Sequence, residues 1–397
     1  MRVDPSPVFA RRRRMVAGGA AALVVLVVIA VAGAVGGSGD KRARPLRTLG
    51  ASTTVAGLTT SSTSPTAPGP TTTSSTTTTT TTVDPGGSSA PRRLKLRRTV
   101  TGHITPKSVV ASGHGLVFAQ NMMYSHSVTV YDADGDLKKT IPDSVDLQRF
   151  GLHHYTGDSY KGAPVEAAFT SNGRKAYVSN YSMYGEGFGP EGSDDCTTSS
   201  HTDDSTVYRI DTRKLAVDQV IKVGPVPKYD AVTPDQKTLL VSNWCGADVS
   251  VVDVKTHRQV RTIPIGLHPR GIAVTKDSRT AYVAVMGGTD IAKVDLSTFA
   301  VTYFRNVGNG PRHLVLSPDD KWLYVTTNRD GHVSKLDART GESVGRASTG
   351  QLPRSLAMAP DGQSLYVVNY GSSTVSKVLT ADMSIVQTLP TGHHPIG

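Results

Sequence analysis

The chain has 397 residues, 38% of them hydrophobic, and a formal net charge of +11. That charge belongs to one end: residues 1–100 hold 14 Lys and Arg against three acids (Asp4, Asp40, Asp84), which leaves 29 of each sign in residues 101–397. A neutral domain behind a basic tail gives no ground for a nucleic-acid-binding surface, so no nucleic-acid partner is expected.

Residues 1–14 read as a basic cytoplasmic N-terminus ending in Arg11-Arg12-Arg13-Arg14, and residues 15–37 as a transmembrane signal anchor. Met15–Val35 carries no charge and is long enough to cross a bilayer as a helix. The arginines at its start favour an inside N-terminus, although Lys41, Arg42, Arg44 and Arg47 weaken the asymmetry. Ala30-Val31-Ala32 resembles a cleavage site, so a removed signal peptide is the competing reading. The first reading gives a single-pass cell-membrane protein and the second a secreted one; both export the remainder. Residues 38–92, with Thr76–Thr82 an unbroken run of threonine, cannot bury a core and are expected to form a disordered Thr/Ser/Pro-rich stalk.

Residues 93–397 repeat. Pro227, Pro269, Pro311, Pro353 and Pro395 follow one another at a constant step of 42 residues, and Asp253, Asp295 and Asp337 keep that step. Two earlier copies open at Pro106 and Pro164 with longer spacings. Each copy reads as four short strands rich in Val, Ile, Tyr and Thr, bounded by Gly, Asp, Asn and Pro; in the fourth they are 271–275, 280–285, 291–294 and 301–304. This predicts an all-β fold, a β-propeller of four-stranded blades. Six repeats are complete. Arg93–Gly102 reads as an outer strand and Gly392–Gly397 as the start of an inner one, which leaves two alternatives: six blades, or a seven-bladed design with an incomplete seventh.

Tyr177-Val178-Ser179-Asn180, Leu240-Val241-Ser242-Asn243, Tyr282-Val283-Ala284-Val285, Tyr324-Val325-Thr326-Thr327 and Tyr366-Val367-Val368-Asn369 end the second strands. With the Pro-Asp-Gly turn, this frame resembles the YVTN-type propeller repeat, the YncE-like and surface-layer-protein-like group. The resemblance implies the fold. For function it implies only that relatives include extracellular binding proteins, while related propellers include lactonases and cofactor-dependent dehydrogenases.

The residue after each opening proline is Lys107, Val165, Lys228, Arg270, Arg312 or Arg354. Five cations in equivalent positions are expected to ring one mouth of the central channel, with Glu166, Tyr229, Asp230, His268 and His313 beside them. Such a rim attracts a carboxylate, phosphate or acidic glycan; the structural alternative is that each cation locks a blade junction. Cys196, in the insertion Ser182–Asp204, and Cys245, in the equivalent loop of the next blade, are expected to form a disulfide in an exported domain. The insertion reads as a surface loop whose Glu186, Glu191, Asp194, Asp195, Asp203 and Asp204 offer oxygen ligands to Ca²⁺. Asn121, Asn180, Asn243 and Asn369 are expected to cap the following turns, with Tyr181, Trp244 and Tyr370 behind three of them as a stacking surface for sugars or peptides. No Gly-x-Ser-x-Gly, phosphate loop or His-Glu-x-x-His is present. The sequence therefore points to a ligand- or protein-binding scaffold of the cell envelope. Its partners would be the membrane and an anionic ligand, glycan or envelope protein. The alternative is a hydrolase or redox propeller with its site at the same mouth.

Overall fold

The structure, a computed structural model, describes residues 87–397; the basic N-terminus, the predicted anchor and residues 38–86 of the predicted stalk lie outside the described residues. Among the described residues no helix is long and apolar enough to cross a membrane.

Six antiparallel sheets follow one another along the chain, each a meander whose strands pair in sequence order. Blade 4 is typical: Pro269–Val274, Thr280–Val285, Ile291–Asp295 and Val301–Phe304, against an expectation that started the first strand two residues late. Aspartates set the turns. Between strands one and two, Asp235, Asp277, Asp319 and Asp361 accept through Oδ1 from the backbone N–H two residues on, at 3.0–3.2 Å. The residue between, Gln236, Ser278, Asp320 or Gly362, takes the left-handed conformation such a tight turn needs. Between strands three and four, Asp295 and Asp337 accept in the same way from Ser297 and Arg339, and Asp253 accepts from the N–H of Thr256, three residues on.

The core is divided into layers between neighbouring blades. Val249, Val251 and Ile263 of blade 3 meet Ile272, Val283 and Val294 of blade 4, and equivalent sets fill the other junctions from blade 1 to blade 6. The asparagines act across the hairpin rather than on the turn alone. Asn243 Nδ2 donates to Asp248 Oδ1 (2.6 Å) and Ser250 Oγ (2.8 Å), and Asn369 Nδ2 to Thr374 Oγ1 and Ser376 Oγ (3.1 and 3.0 Å), tying strand two to strand three.

The junction between blades 6 and 1 is closed differently. A lysine recurs on the third strand and reaches a carbonyl of the next blade: Lys293 Nζ donates to Arg339 O (3.1 Å) and Lys335 Nζ to Thr380 O (2.8 Å). Lys377, fully buried in blade 6, faces this junction, and its ammonium donates to Ser89 O, Ala90 O and Arg92 O at 2.6, 2.9 and 2.5 Å instead of to a carbonyl of a blade. Ser89 also donates through N and Oγ to Asp361. Residues 88–92, assigned to the stalk from composition, are thus part of the propeller's closure.

The outer strand expected over Arg93–Gly102 does not form; only Val100 makes an isolated bridge. A strand needs a neighbouring edge with free ladder groups, and here a side chain stands in for that edge. Gln387 accepts from Leu94 N (2.7 Å) and donates to Leu94 O (3.0 Å), while Arg97 and Arg98 are drawn off to Asp134 and Asp136. Gly392–Gly397 is likewise irregular, with Ser355 Oγ donating to Ile396 O (2.7 Å) and Gly397 against Ser108. Among the described residues there are six sheets and no seventh.

Replacing Lys377 with Met keeps the stem and orphans three carbonyls. Hydrogen bonds to a charged group are worth roughly 1.5–3 kcal/mol each and do not add fully, so the expected loss is about 2–4 kcal/mol in urea unfolding, with new proteolytic cleavage near residues 88–94. An unchanged midpoint and digest refute the role of Lys377 in closure.

Candidate anion site at the channel mouth

The first strands are built to present the cations. Proline opens each one, and it has no N–H to give a ladder. Pairing with the second strand then skips, from Pro227 to Tyr229, Pro269 to Ile272, Pro311 to Leu314 and Pro353 to Leu356. A bulge turns its residues off the ladder and re-aims their side chains; Lys228, Arg270, Arg312 and Arg354 occupy these bulges. Neighbouring first strands come very close there. A Cβ on Gly271 would stand 2.7 Å from Arg312 O and 2.8 Å from His313 Cα, so only glycine fits between Arg270 and the next strand.

The cations from five blades share one region. Lys228, Arg270 and Arg312 are buried, at 3%, 7% and 4% exposure. Burial, and then repulsion from Lys228, Arg270 and Arg354, holds the Lys107 ammonium well below ordinary lysine basicity. Arg312 is lowered by burial and by Arg270 and Arg354. Arg354 is brought to about 10 by burial foremost, and its guanidinium lies 3.5 Å from the Tyr370 ring centroid with Nε unpaired. Lys228 is brought to about 8, again by burial first. Cations from blades 1, 3, 4, 5 and 6 feel one another only because their strands converge on the axis.

Few anions balance them. Burial raises both Glu166 and Asp230, disfavouring their charged forms. Asp230 Oδ2 accepts from Ser179 N (2.9 Å), while its Oδ1 is buried without a partner. Tyr229 OH and His313 Nε2 pair at 3.0 Å, and burial followed by Arg312 and Arg270 holds His313 to about 3, neutral at physiological pH. Of this group, Lys228 is ion-paired, to Asp194 of the blade 2 insertion.

The insertion of blade 2 covers this region instead of standing off as a surface loop. Cys196 and Cys245 are joined in a disulfide with Cα atoms 5.2 Å apart. Tyr181 OH donates to Gly192 O (2.8 Å), Trp244 Nε1 to Asp194 O (3.0 Å), and His268 Nε2 meets Cys196 O (2.8 Å). Asp194 Oδ1 then pairs with Lys228 Nζ at 2.7 Å. Tyr181 and Trp244, expected as an open stacking surface, are buried and flank that same ammonium at 4.8 and 4.3 Å from their ring centroids. The expected Ca²⁺ site is not assembled. Asp194 and Asp204 pair with Lys228 and Lys222, Asp203 accepts from Gly189 N, and no three His, Cys, Asp or Glu come together among the described residues.

Sequence reasoning missed Asp194 as a counter-ion of the ring. One signal was available: Val165 makes blade 2 the one repeat without a cation at this position, and blade 2 carries the acidic insertion.

These features define a six-bladed β-propeller in which cations from five first strands lie close together, three of them buried. No family model and no curated protein matches the chain. Among solved structures, Kuenenia stuttgartiensis hydrazine synthase is similar, with a TM-score of 0.56 and 19% identity over 75% of this chain and 90% of that one. At that identity the likeness is one of fold.

If Arg312 were a blade lock, removing its charge would destabilise the protein. In a cluster with surplus positive charge the opposite follows: Arg312→Gln is expected to raise the thermal midpoint in anion-free buffer by about 2–4 °C, the shift of ~1 kcal/mol in a domain of a few hundred residues. A lower midpoint by scanning calorimetry favours the lock.

Proposed function

We propose that this protein is a membrane-anchored, extracytoplasmic propeller of the YVTN type whose channel mouth binds an anionic ligand, serving as a binding module of the cell envelope. The observation that carries the anion site is the group of five cations brought together, three of them buried, and faced by Glu166, whose charged form burial disfavours, and by the half-exposed Asp194. Keeping such charge out of water is costly unless an anion compensates it. Arginine forks suit a carboxylate or a phosphate. The repeat frame supports the YVTN assignment. Export is supported by the uncharged run Met15–Val35 and by the Cys196–Cys245 bond, since disulfides persist in oxidising compartments.

Titration calorimetry on the full chain with inorganic phosphate and with acetate tests the site. Binding is expected to raise the thermal midpoint, to weaken with ionic strength, and to be lost in Arg270→Gln/Arg312→Gln/Arg354→Gln; unchanged binding in the triple variant refutes the assignment. The pH dependence has a definite sign. With Lys228 held to about 8, the empty site sheds a proton as pH rises through that value. Affinity is therefore expected to fall between pH 7 and 9, and binding at pH 8 to take up protons, because a bound anion favours the charged amine. Proton release on binding at pH 8, measured in buffers of different ionisation enthalpy, contradicts this.

A further inference from the structure

We infer that the mouth is a carboxylate site already occupied by a carboxylate of the chain itself: Asp194, presented by the disulfide-held insertion, stands where an external carboxylate binds and must yield to it. The inference rests on the anion-site reading above and narrows its ligand class.

Three observations carry it. Asp194 is half-exposed, with 54% of its side chain accessible, yet its Oδ1 lies 2.7 Å from an ammonium that is only 3% exposed. The carboxylate therefore sits at the entrance, on top of the buried charge, rather than within the cluster. Its field extends past Lys228, favouring the charged forms of Lys107, Arg270, Arg312 and Arg354 as well. One group thus acts as shared counter-ion to cations from five blades.

Besides its pairing with Lys228, the segment that carries Asp194 is held through its backbone. Trp244 Nε1 fixes the backbone carbonyl of Asp194, Tyr181 OH fixes that of Gly192, His268 fixes that of Cys196, and the disulfide ties the loop to blade 3. The carboxylate is thus delivered by a tether, as a ligand would be, and the site stays complete when that carboxylate is removed. Internal tethering gives a high effective concentration, so an external monocarboxylate competes against it and binds weakly until the tether or its charge is lost.

The test is titration of acetate, with inorganic phosphate in parallel, into the full chain and into Asp194→Asn, both purified under oxidising conditions. Asp194→Asn keeps the size of the half-exposed side chain and removes its charge. Acetate affinity is expected to rise at least tenfold, with a larger gain for acetate than for phosphate. Cys196→Ser/Cys245→Ser, which keeps Asp194 but frees the loop, is expected to move acetate affinity in the same direction. An unchanged or weaker acetate affinity in both variants, with the wild type binding, overturns the inference and makes Asp194 a fixed part of the binding surface. Absence of acetate and phosphate binding in wild type and variants alike overturns the anion-site reading itself. Silence in the wild type with binding in Asp194→Asn supports self-occupation.

Discussion

Six sheets converge on one axis, and that convergence decides most of what is distinctive here. The residue that follows each opening proline cannot avoid its equivalents, because the bulge turns it inward and the adjacent strand passes within contact of it, as Gly271 shows. A basic residue at that position in one blade would be an ordinary surface cation. The same residue in five blades becomes a cluster in which burial lowers every member and repulsion from neighbouring cations adds to it for Lys107, Lys228, Arg312 and Arg354. Repetition thus amplifies a local choice into a charge concentration that no single repeat contains.

The protein answers that concentration from the blade that does not contribute to it. Blade 2 places Val165 where the others place Lys or Arg, and its insertion crosses to blade 3 with Asp194. The disulfide, the Tyr181 and Trp244 rings, and the ion pair form one assembly around Lys228. Whatever holds the loop there also sets how much of the cluster's positive charge Asp194 offsets.

Closure follows an analogous logic at the periphery. Each third-strand lysine seeks a carbonyl on the next blade, and after blade 6 the carbonyls come from residues 89–92. The backbone of Leu94 is satisfied by the amide of Gln387, so no seventh ladder is needed for polar groups to be paired at this seam. A buried ammonium with three carbonyl acceptors is a strong local tie, and it fixes residues 89–92 just before the segment that reads as a β run from its alternation.

The repeat, its four strands, the turn aspartates and the positions of the five cations were legible in the chain because they depend on local chemistry at a fixed step: proline without an N–H, aspartate folding back on its own turn, β-branched residues on a pleated surface. The pairing of Cys196 with Cys245 was legible as well, since only two cysteines exist and both lie in equivalent loops. The tertiary structure alone decided where charges from distant repeats meet. Asp194 lies 34 residues from Lys228 and Ser89 lies 288 from Lys377, and nothing in either neighbourhood specifies the partner. The acids of the insertion looked like metal ligands, and Tyr181 and Trp244 like a platform, because composition records which groups are present. Only the ring geometry fixes which of them face a cation, and burial then determines how strongly each pair interacts.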